Sequence, residues 1–463
     1  MRPHQDNYTQ LTTGAIPRVI TRMAVPTIIS MLVTSLYNIA DTFFVGQIDT
    51  QSTAAVGVVF PAMSIIHAVG FFFGHGSGNF ISRTLGAKDR ESAARMSATG
   101  FIYAIVAALI ITIVGEWLLT PLAVGLGSTP TILPFAEEYM AIILLGAPVM
   151  MGGIVVNNQM RFQGNASLAM VGIVSGAVLN VALDPLLILG FGWGITGAAW
   201  ATVISQTFSF ILLLYMQRRG DNIRLDLRRF TPSLKYIREI IAGGTPSLTR
   251  QTLGCIATIM LNVVAGAYGD AAIAAMSIVS RITFVIFSVI IGLGQGFQPL
   301  CGFSFGAGLY ERVRSAYWFC VRVGTVFLTL CAVFLFVFST PVITIFRDDS
   351  DVIRIGSDAL RYQVLVYPLG AITMLANMFL QTVRMPWRAN ILAAARRGLF
   401  FIPLIFVLPS LFGLFGLIIC QPVCDTLAFI LTLPIILYSL RTMGRGVGTI
   451  SSDSIVDTKQ NAN

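Results

Sequence analysis

The stretch GHGSGNFISRTLGA, residues 74–87, has a counterpart 220 residues later in GQGFQPLCGFSFGA, residues 294–307. Both stretches begin with two glycines separated by one residue and end with Gly-Ala. The same offset pairs Arg18 with Arg238 and Pro26 with Pro246, without a gap. A register that persists over so many positions indicates that the chain is built from two repeats.

The composition places both repeats in a membrane. Of the 463 residues, 55% are hydrophobic and only 11% are charged, and the mean hydropathy is +0.79. This composition excludes a soluble protein. With about 20 apolar residues for each membrane crossing, we expect twelve transmembrane helices, six in each repeat.

Because six is an even number, both repeats insert in the same orientation. The predicted fold is an all-α integral membrane protein with two six-helix lobes, related by a pseudo-two-fold axis along the membrane normal. The expected divisions are an N-terminal lobe at 1–216, a linker at 217–238, a C-terminal lobe at 239–440 and a tail at 441–463.

The net charge of +9 is distributed unevenly along the chain. Basic residues cluster in the even-numbered connections between helices, whereas the odd-numbered connections are short or acidic. By the positive-inside rule, the termini and the linker are cytoplasmic, and the charge gives no reason to expect a nucleic-acid partner. The basic residues assigned to the even connections include Arg83, Lys88, Arg161, Arg218, Arg219, Arg384, Arg388, Arg396 and Arg397.

Three acidic residues, Asp41, Asp184 and Asp425, fall well inside predicted spans, where an ionisable side chain is costly and often functional. Asp41 ends a polar stripe on the first helix that includes Tyr37. Asp184 ends another on the fifth helix, with Asn180 one turn before it.

Three of the polar residues lie at a similar depth in the membrane. Asp41, Asp184 and Thr202 of the sixth helix all lie within about two turns of the outer helix ends. Two carboxylates with neutral oxygens could hold a proton or a small hard cation. Hydrogen bonding between helices is the alternative role for Asn180 and Thr202.

The second lobe contains fewer candidate functional residues. Asp425 stands alone on the last helix, and a hydrogen bond between helices is as good an interpretation as a functional role. Arg250 and Arg281 are candidates to contact an anionic part of a substrate or to pair with helix termini.

Several motifs resemble the multidrug and toxic compound extrusion (MATE) family, in particular its DinF-like and MepA-like branches. They are residues 39–46 (IADTFFVG), 161–165 (RFQGN), 179–185 (LNVALDP), 194–202 (GITGAAWAT) and 294–299 (GQGFQP). The resemblance implies a V-shaped, monomeric antiporter of the prokaryotic cytoplasmic membrane. Such a protein is not an enzyme, needs no cofactor, and exports organic cations by using an H⁺ or Na⁺ gradient.

The resemblance also carries residue roles. In the N-terminal lobe it assigns cation coupling to Asp41, Asn180, Asp184 and Thr202, with Tyr37 and Asn157 as neighbours, the Ala198 carbonyl as a further ligand and Pro26 as a helix-bending residue. In the C-terminal lobe, where some members carry acids on helices 7 and 10, this chain has Arg250 and Tyr367. Coupling should therefore rest on the N-terminal lobe, which favours protons over Na⁺. The candidates to line the substrate cavity are Tyr37, Asn157, Arg250, Arg281 and Tyr367.

Two other functions remain to be weighed. A flippase for lipid-linked saccharides would need several cationic residues around its cavity, and only Arg250 and Arg281 qualify. A membrane-embedded enzyme acting on lipids would need a catalytic motif, and the nearest match is the acidic turn at residues 348–351 (DDSD), which is better explained as a solvated loop.

Overall fold

The computed structural model describes residues 7–219 and 222–444, apart from the side chains of residues 38 and 39. The first lobe contains α1 Ile16–Val45, α2 Thr50–Gly86, α3 Arg90–Trp117, α4 Leu133–Phe162, α5 Ala166–Gly190 and α6 Gly194–Gln217. The second contains α7 Leu234–Gly266, α8 Asp270–Gly306, α9 Tyr310–Val337, α10 Ser350–Leu365 with Tyr367–Thr382, α11 Pro386–Phe412 and α12 Leu414–Thr442. Shorter helices span Asn7–Thr13, Leu119–Gly125, Leu227–Arg229 and Ser339–Phe346.

The twelve-helix, two-lobe prediction is confirmed, with one span broken and one group of charges misplaced. The two halves of α10 meet at an angle of 58°, where Pro368 cannot donate a backbone hydrogen bond to the preceding turn. Arg396 and Arg397 were expected in the connection before α11. They lie inside α11 instead, in a π-helical turn at Ala395–Leu399, so they do not contribute to the loop charge.

The two lobes contact each other through two equivalent pairs of helices. Helix α1 packs along α8, and α2 packs along α7. Since the repeat relates α1 to α7 and α2 to α8, these two contacts are equivalent, as the pseudo-two-fold axis requires. We call the end of the molecule with the even-numbered connections the basic end and the opposite end the acidic end.

Glycines allow this close approach. A Cβ atom added to Gly76 of α2 would lie 2.5 Å from the carbonyl oxygen of Ile240, and one added to the equivalent Gly296 of α8 would lie 2.5 Å from the Cα of Ala24. Nearer the basic end, a Cβ on Gly86 would collide with the backbone of Phe303. Only glycine fits these positions without separating the lobes.

Ion pairs add to the packing at the basic end. Arg83 of α2, which is buried, binds Glu239 of α7 at 2.7 Å and donates to the carbonyl oxygen of Thr382 at 2.9 Å. The other carboxylate oxygen of Glu239 binds Arg384 at 2.8 Å. The half of the lobe interface that faces the basic end is therefore closed by both packing and charge.

The linker between the lobes is fastened to the first lobe. The backbone N–H of Ile223 donates to Gln163 at 2.6 Å, and Arg229 binds Glu91 at 2.7 Å. Helix α7 begins at Leu234, five residues before the expected boundary, because Ser233 caps it with a side-chain oxygen that accepts from the N–H of Lys235. The described part of the linker is therefore held against the first lobe.

Candidate functional site

A polar cluster in the first lobe is set by the antiparallel register of α5 and α6. The Ser209 hydroxyl donates to the carbonyl oxygen of Gly172 at 2.8 Å. One turn further along α5, Gly176 packs against Ser209 and the backbone of Ser205. Small residues at this crossing bring the two backbones together, so that their acidic-end halves face each other.

Continuing this register by about one turn and two turns places Asn180 opposite Thr202 and Asp184 opposite Ala198. All four are buried: Asp184 and Ala198 are 0% exposed, Asn180 is 1% and Thr202 is 4% exposed. After Pro185, α5 continues as a π-helical turn, Leu186–Gly190, a local irregularity that is frequent at functional sites.

Helix α1 completes the cluster from the other side. Asp41 is close enough to Asp184 for the two carboxylates to repel each other. Tyr37, one turn before Asp41, is near both acids and beside the side chain of Gln206. The structure therefore groups Tyr37, Asp41 and Asp184, and their role in ion coupling stays a prediction.

Two residues of this site are absent from the sequence-based prediction. Gln206 of α6 lies beside Tyr37, and Tyr139 of α4 is buried within reach of the charges of Asp41 and Asp184. Comparing helix depths could have found Tyr139, which lies near the acidic end of α4, but the apolar sequence around it resembles ordinary core.

The cluster is poor in hydrogen bonds. Both carboxylate oxygens of Asp184, both polar atoms of the Asn180 amide and Oδ1 of Asp41 are buried with no hydrogen-bond partner among the described residues. Each such group loses its hydration without compensation, at about 1–3 kcal/mol or more. Buried polar groups are normally hydrogen-bonded, so five unpaired atoms in one place are not explained by helix packing.

The donor set suits a small, hard ion. Carboxylate, amide and hydroxyl oxygens are available, which are ligands for hard cations. No group of three or more His, Cys, Asp or Glu residues that could bind a metal occurs in the described part of the chain. The cluster therefore fits H⁺ or Na⁺ rather than a transition metal.

The expectation that Asn157 neighbours this cluster is wrong. Its side-chain amide donates to the carbonyl oxygen of Ala169 at 2.8 Å, near the basic end, whereas Asp184 lies 15 residues further along α5. In the second lobe, Asn377 donates to Ala389 at 2.7 Å, and both residues follow the offset of 220. This matched pair of bonds ties α4 to α5 and α10 to α11, which is a structural role.

The three proposed cavity residues of the second lobe lie apart. Tyr367 is fully buried, its hydroxyl 2.9 Å from that of Thr283, so its assignment to an open cavity is wrong. Arg250 is half-buried and donates to Asn377 at 2.9 Å. Arg281 is exposed on α8 and lines a groove of about 500 Å³ at the acidic end.

Asp425 is fully paired. Arg396 binds it through two nitrogens at 2.5 and 3.1 Å, and Gln363 and Gln421 donate to it at 3.1 and 2.8 Å. Asp425 thus differs from Asp184, although both are buried aspartates. Both oxygens of Asp425 accept hydrogen bonds, whereas neither oxygen of Asp184 has a partner among the described residues.

Pro26 lies within α1, which continues through it from Ile16 to Val45. It is buried between Ala24 and Ile28, the two residues that contact Gly296 and Gly292 of α8. A bend at Pro26 would therefore act directly on the contact between the lobes.

A polar network crosses between the lobes on the basic side of the cluster. Buried Arg161 of α4 donates to Gln295 of α8 and to His75 of α2, the latter at 3.1 Å. The other nitrogen of His75 lies 2.9 Å from the hydroxyl of Ser247 on α7, which also accepts from Gln381 at 2.8 Å. Since Arg161 can only donate, His75 accepts from it in the neutral form.

Comparison with known proteins matches this architecture. A family model described as MatE covers residues 26–186 and 246–407, two segments whose starts are 220 residues apart. The chain belongs to the MATE family. Multidrug export protein MepA of Staphylococcus saprophyticus subsp. saprophyticus is 27% identical over 420 residues, covering 90% of this chain and 92% of the relative.

Solved structures of MATE transporters superpose on nearly the whole chain. One is an outward-facing multidrug resistance MATE transporter of the MOP superfamily, with a TM-score of 0.89, 27% identity, and coverage of 94% of this chain and 98% of that one. Another is a MOP superfamily transporter from Pyrococcus furiosus, described as having a binding pocket of reverse polarity, with a TM-score of 0.89, 26% identity and the same coverage.

Proposed function

We propose that this MATE transporter is a cation-coupled antiporter that exports organic cations and drugs by alternating access, with coupling through Asp41 and Asp184. The observation that carries the proposal is the set of five buried, unpaired polar atoms on Asp184, Asn180 and Asp41. A site that binds an ion in one state and releases it in another needs ligands that the protein itself does not saturate.

The coupling ion that we propose is H⁺. Two buried carboxylates close enough to repel each other favour a state in which at least one of them is protonated. Deprotonation would place two negative charges in the cluster, and the resulting repulsion acts on α1, the helix that also packs against the second lobe. Ion exchange at Asp41 is thereby linked to the lobe interface.

Alternating access follows from where the lobes are closed. Glycine packing, the Arg83–Glu239 pair and the network around His75 all lie on the basic side of the ion cluster. We assign the basic end to the cytoplasm of a prokaryotic cell, with both termini inside and a monomer as the working unit. In this conformation the substrate path would be sealed from the cytoplasm, as in the outward-facing relative.

Substrate would bind between the lobes, on the acidic side of the closed half of their interface. Tyr37 of the first lobe and Arg250 of the second are half-buried, and MepA relatives are multidrug export proteins. A flippase for lipid-linked saccharides is less favoured, because Arg250 already donates to Asn377 and Arg281 lines a groove at the acidic end. Asp349 of the acidic turn caps α10 by accepting from two backbone N–H groups, which accounts for it without a catalytic role.

The test is export from proteoliposomes loaded with a lipophilic cation. A pH gradient alone should drive export, and Asp41→Asn and Asp184→Asn should each abolish it with normal insertion. The matched control is Asp348→Asn, which removes an exposed carboxylate and should leave export unchanged. Normal gradient-driven export by the double variant would refute coupling through this pair, and export driven by Na⁺ but not by pH would refute the proton.

A further inference from the structure

A histidine lies at the centre of the polar network that crosses the lobe interface. His75 of α2 is 1% exposed and packs against the rings of Phe71 and Phe162, whose centroids lie 5.3 and 5.9 Å from that of the imidazole. One ring nitrogen lies 3.1 Å from Arg161 of its own lobe, and the other lies 2.9 Å from the hydroxyl of Ser247 in the second lobe. His75 therefore joins the two lobes in the closed half of their interface.

These contacts require the neutral form of the histidine. A guanidinium has only donors, so the nitrogen of His75 that faces Arg161 must accept, and the other nitrogen donates to Ser247. Protonation would place a hydrogen on the accepting nitrogen and leave two cationic groups 3.1 Å apart. The closed interface therefore excludes the proton.

The groups that face His75 from the neighbouring helices supply no negative charge within the described part of the chain. They are Asn158 and Arg161 of α4, Ser247 and Arg250 of α7, with Gln295 of α8 and Gln381 of α10 bound to them. The acid of α7, Glu239, lies about two turns from Ser247 and is bound to Arg83 and Arg384. A positive charge on His75 would thus have no counter-ion.

The second repeat has a glutamine where the first has His75. The offset of 220 is exact here, because the preceding glycines pack against equivalent residues of α4 and α10, namely Gly74 on Asn158 and Gly294 on Met378. The glutamine is Gln295, which also accepts from Arg161. Since glutamine can accept one hydrogen bond and donate another, hydrogen bonding alone does not require a histidine. What the histidine adds is titration near neutral pH.

We propose that His75 is a second proton-binding site, which takes up a proton from the cytoplasmic side when the lobes separate at the basic end and must release it there before they close. The proposal rests on the alternating access proposed above. Because this proton enters and leaves on one side, it does not change the number of ions exchanged for each substrate. It delays closure of the basic end when the cytoplasm is acidic, which is the condition in which an inward proton gradient is small.

The size of the effect follows from proton binding to the open state alone. A histidine in contact with water titrates at about pH 6.5. Proton binding multiplies the population of the open state by about 1.1 at pH 7.5 and by about 11 at pH 5.5. Acidification over this range should therefore favour the open state by about tenfold.

The experiment measures the distance between spin labels at Arg95 and Ser315, which are exposed at the basic end of the two lobes. The parent protein carries Asp41→Asn and Asp184→Asn, so that neither acid of the ion cluster responds to pH. Between pH 7.5 and pH 5.5, the ratio of long-distance to short-distance populations should rise by about tenfold.

His75→Gln in this parent keeps an acceptor for Arg161 and a donor for Ser247 but cannot titrate, so the rise should be less than about twofold. The matched control is His67→Gln, which removes a half-buried histidine about two turns away on the same helix and should keep the full rise. The proposal is overturned by an equal rise in His75→Gln, by loss of the rise in His67→Gln, or by no rise in the parent.

If His75→Gln does not insert, Arg161→Gln decides. Without the guanidinium, the closed state tolerates a protonated His75, so the rise should become smaller, and an unchanged rise would overturn the proposal. The measurement is a distance in protein that lacks both acids, so it does not depend on whether Asp41 and Asp184 couple export to protons. Export by Asp184→Asn tests that coupling separately.

Discussion

Adding one methyl group at the lobe interface should shift the balance between the two conformations. In the present conformation, the Cβ of a Gly76→Ala variant would lie 2.5 Å from the carbonyl oxygen of Ile240, whereas ordinary contacts begin at 3.4 Å. The lobes must therefore separate by about 0.9 Å at this point, the difference between these distances. Gly243, one turn further along α7, also packs against the backbone of Gly76, so the two helices touch over a full turn.

The cost follows from the overlap. Forcing an extra methyl group into a packed interface costs about 1–3 kcal/mol, which changes a conformational equilibrium by about 5–150-fold. The helix-forming preference of alanine over glycine, about 1 kcal/mol, applies equally to both conformations because α2 remains helical. The clash alone therefore determines the shift, which should favour a state open at the basic end.

Spin labels at Gln51 and Ala267, both exposed at the acidic end, report the change as a shorter distance between the lobes. Gly76→Ala should increase the short-distance population and slow export. Gly57→Ala is the matched control on the same helix, because a Cβ there has no neighbour within 4 Å. An unchanged distance distribution in correctly inserted Gly76→Ala, or an equal shift in Gly57→Ala, would refute the reasoning.

Three further predictions concern topology and stability. A reporter fused at Asp226 should read as cytoplasmic and one at Asp270 as external, and the opposite result would invert the assignment of the basic end. Glu239→Gln should destabilise the protein in detergent by about 3 kcal/mol, measured as thermal unfolding, because buried Arg83 loses its carboxylate; an unchanged melting temperature would contradict this. Asn377→Ala should cost about 1–3 kcal/mol, because the Ala389 carbonyl loses its donor and half-buried Arg250 loses its acceptor; unchanged stability would contradict this.

The fold was predictable because hydrophobic runs, charge asymmetry and the repeat each report a separate property of the bilayer environment. The same signals failed at Arg396 and Arg397, which look like loop residues when charge is counted along the chain. Arg396 is held by Asp425 and Phe287, contributed by other helices, and no local pattern records such a partner. The break in α10 was missed because Pro368 falls within an otherwise continuous apolar run.

The depth of a candidate residue in the membrane could be predicted by counting along its helix, but the direction of its side chain could not. Asp41 and Asp184 could be grouped from sequence because an acid in an apolar helix is conspicuous and its distance from the helix end can be counted. Asn157 and Tyr367 were misplaced because resemblance gave each a helix but not the direction in which its side chain points. Tyr139 was overlooked since an aromatic residue in a membrane helix is common.

The reciprocal contact of α1 with α8 and of α2 with α7 has the geometry of a symmetric dimer whose two copies have been joined into one polypeptide. In a dimer of identical chains, every substitution occurs twice, so both halves would carry the same acids or the same arginine. Fusion removes that restriction. It is the covalent connection that allows Asp184 to stand unpaired in one half while Asp425 is bound by Arg396 in the other.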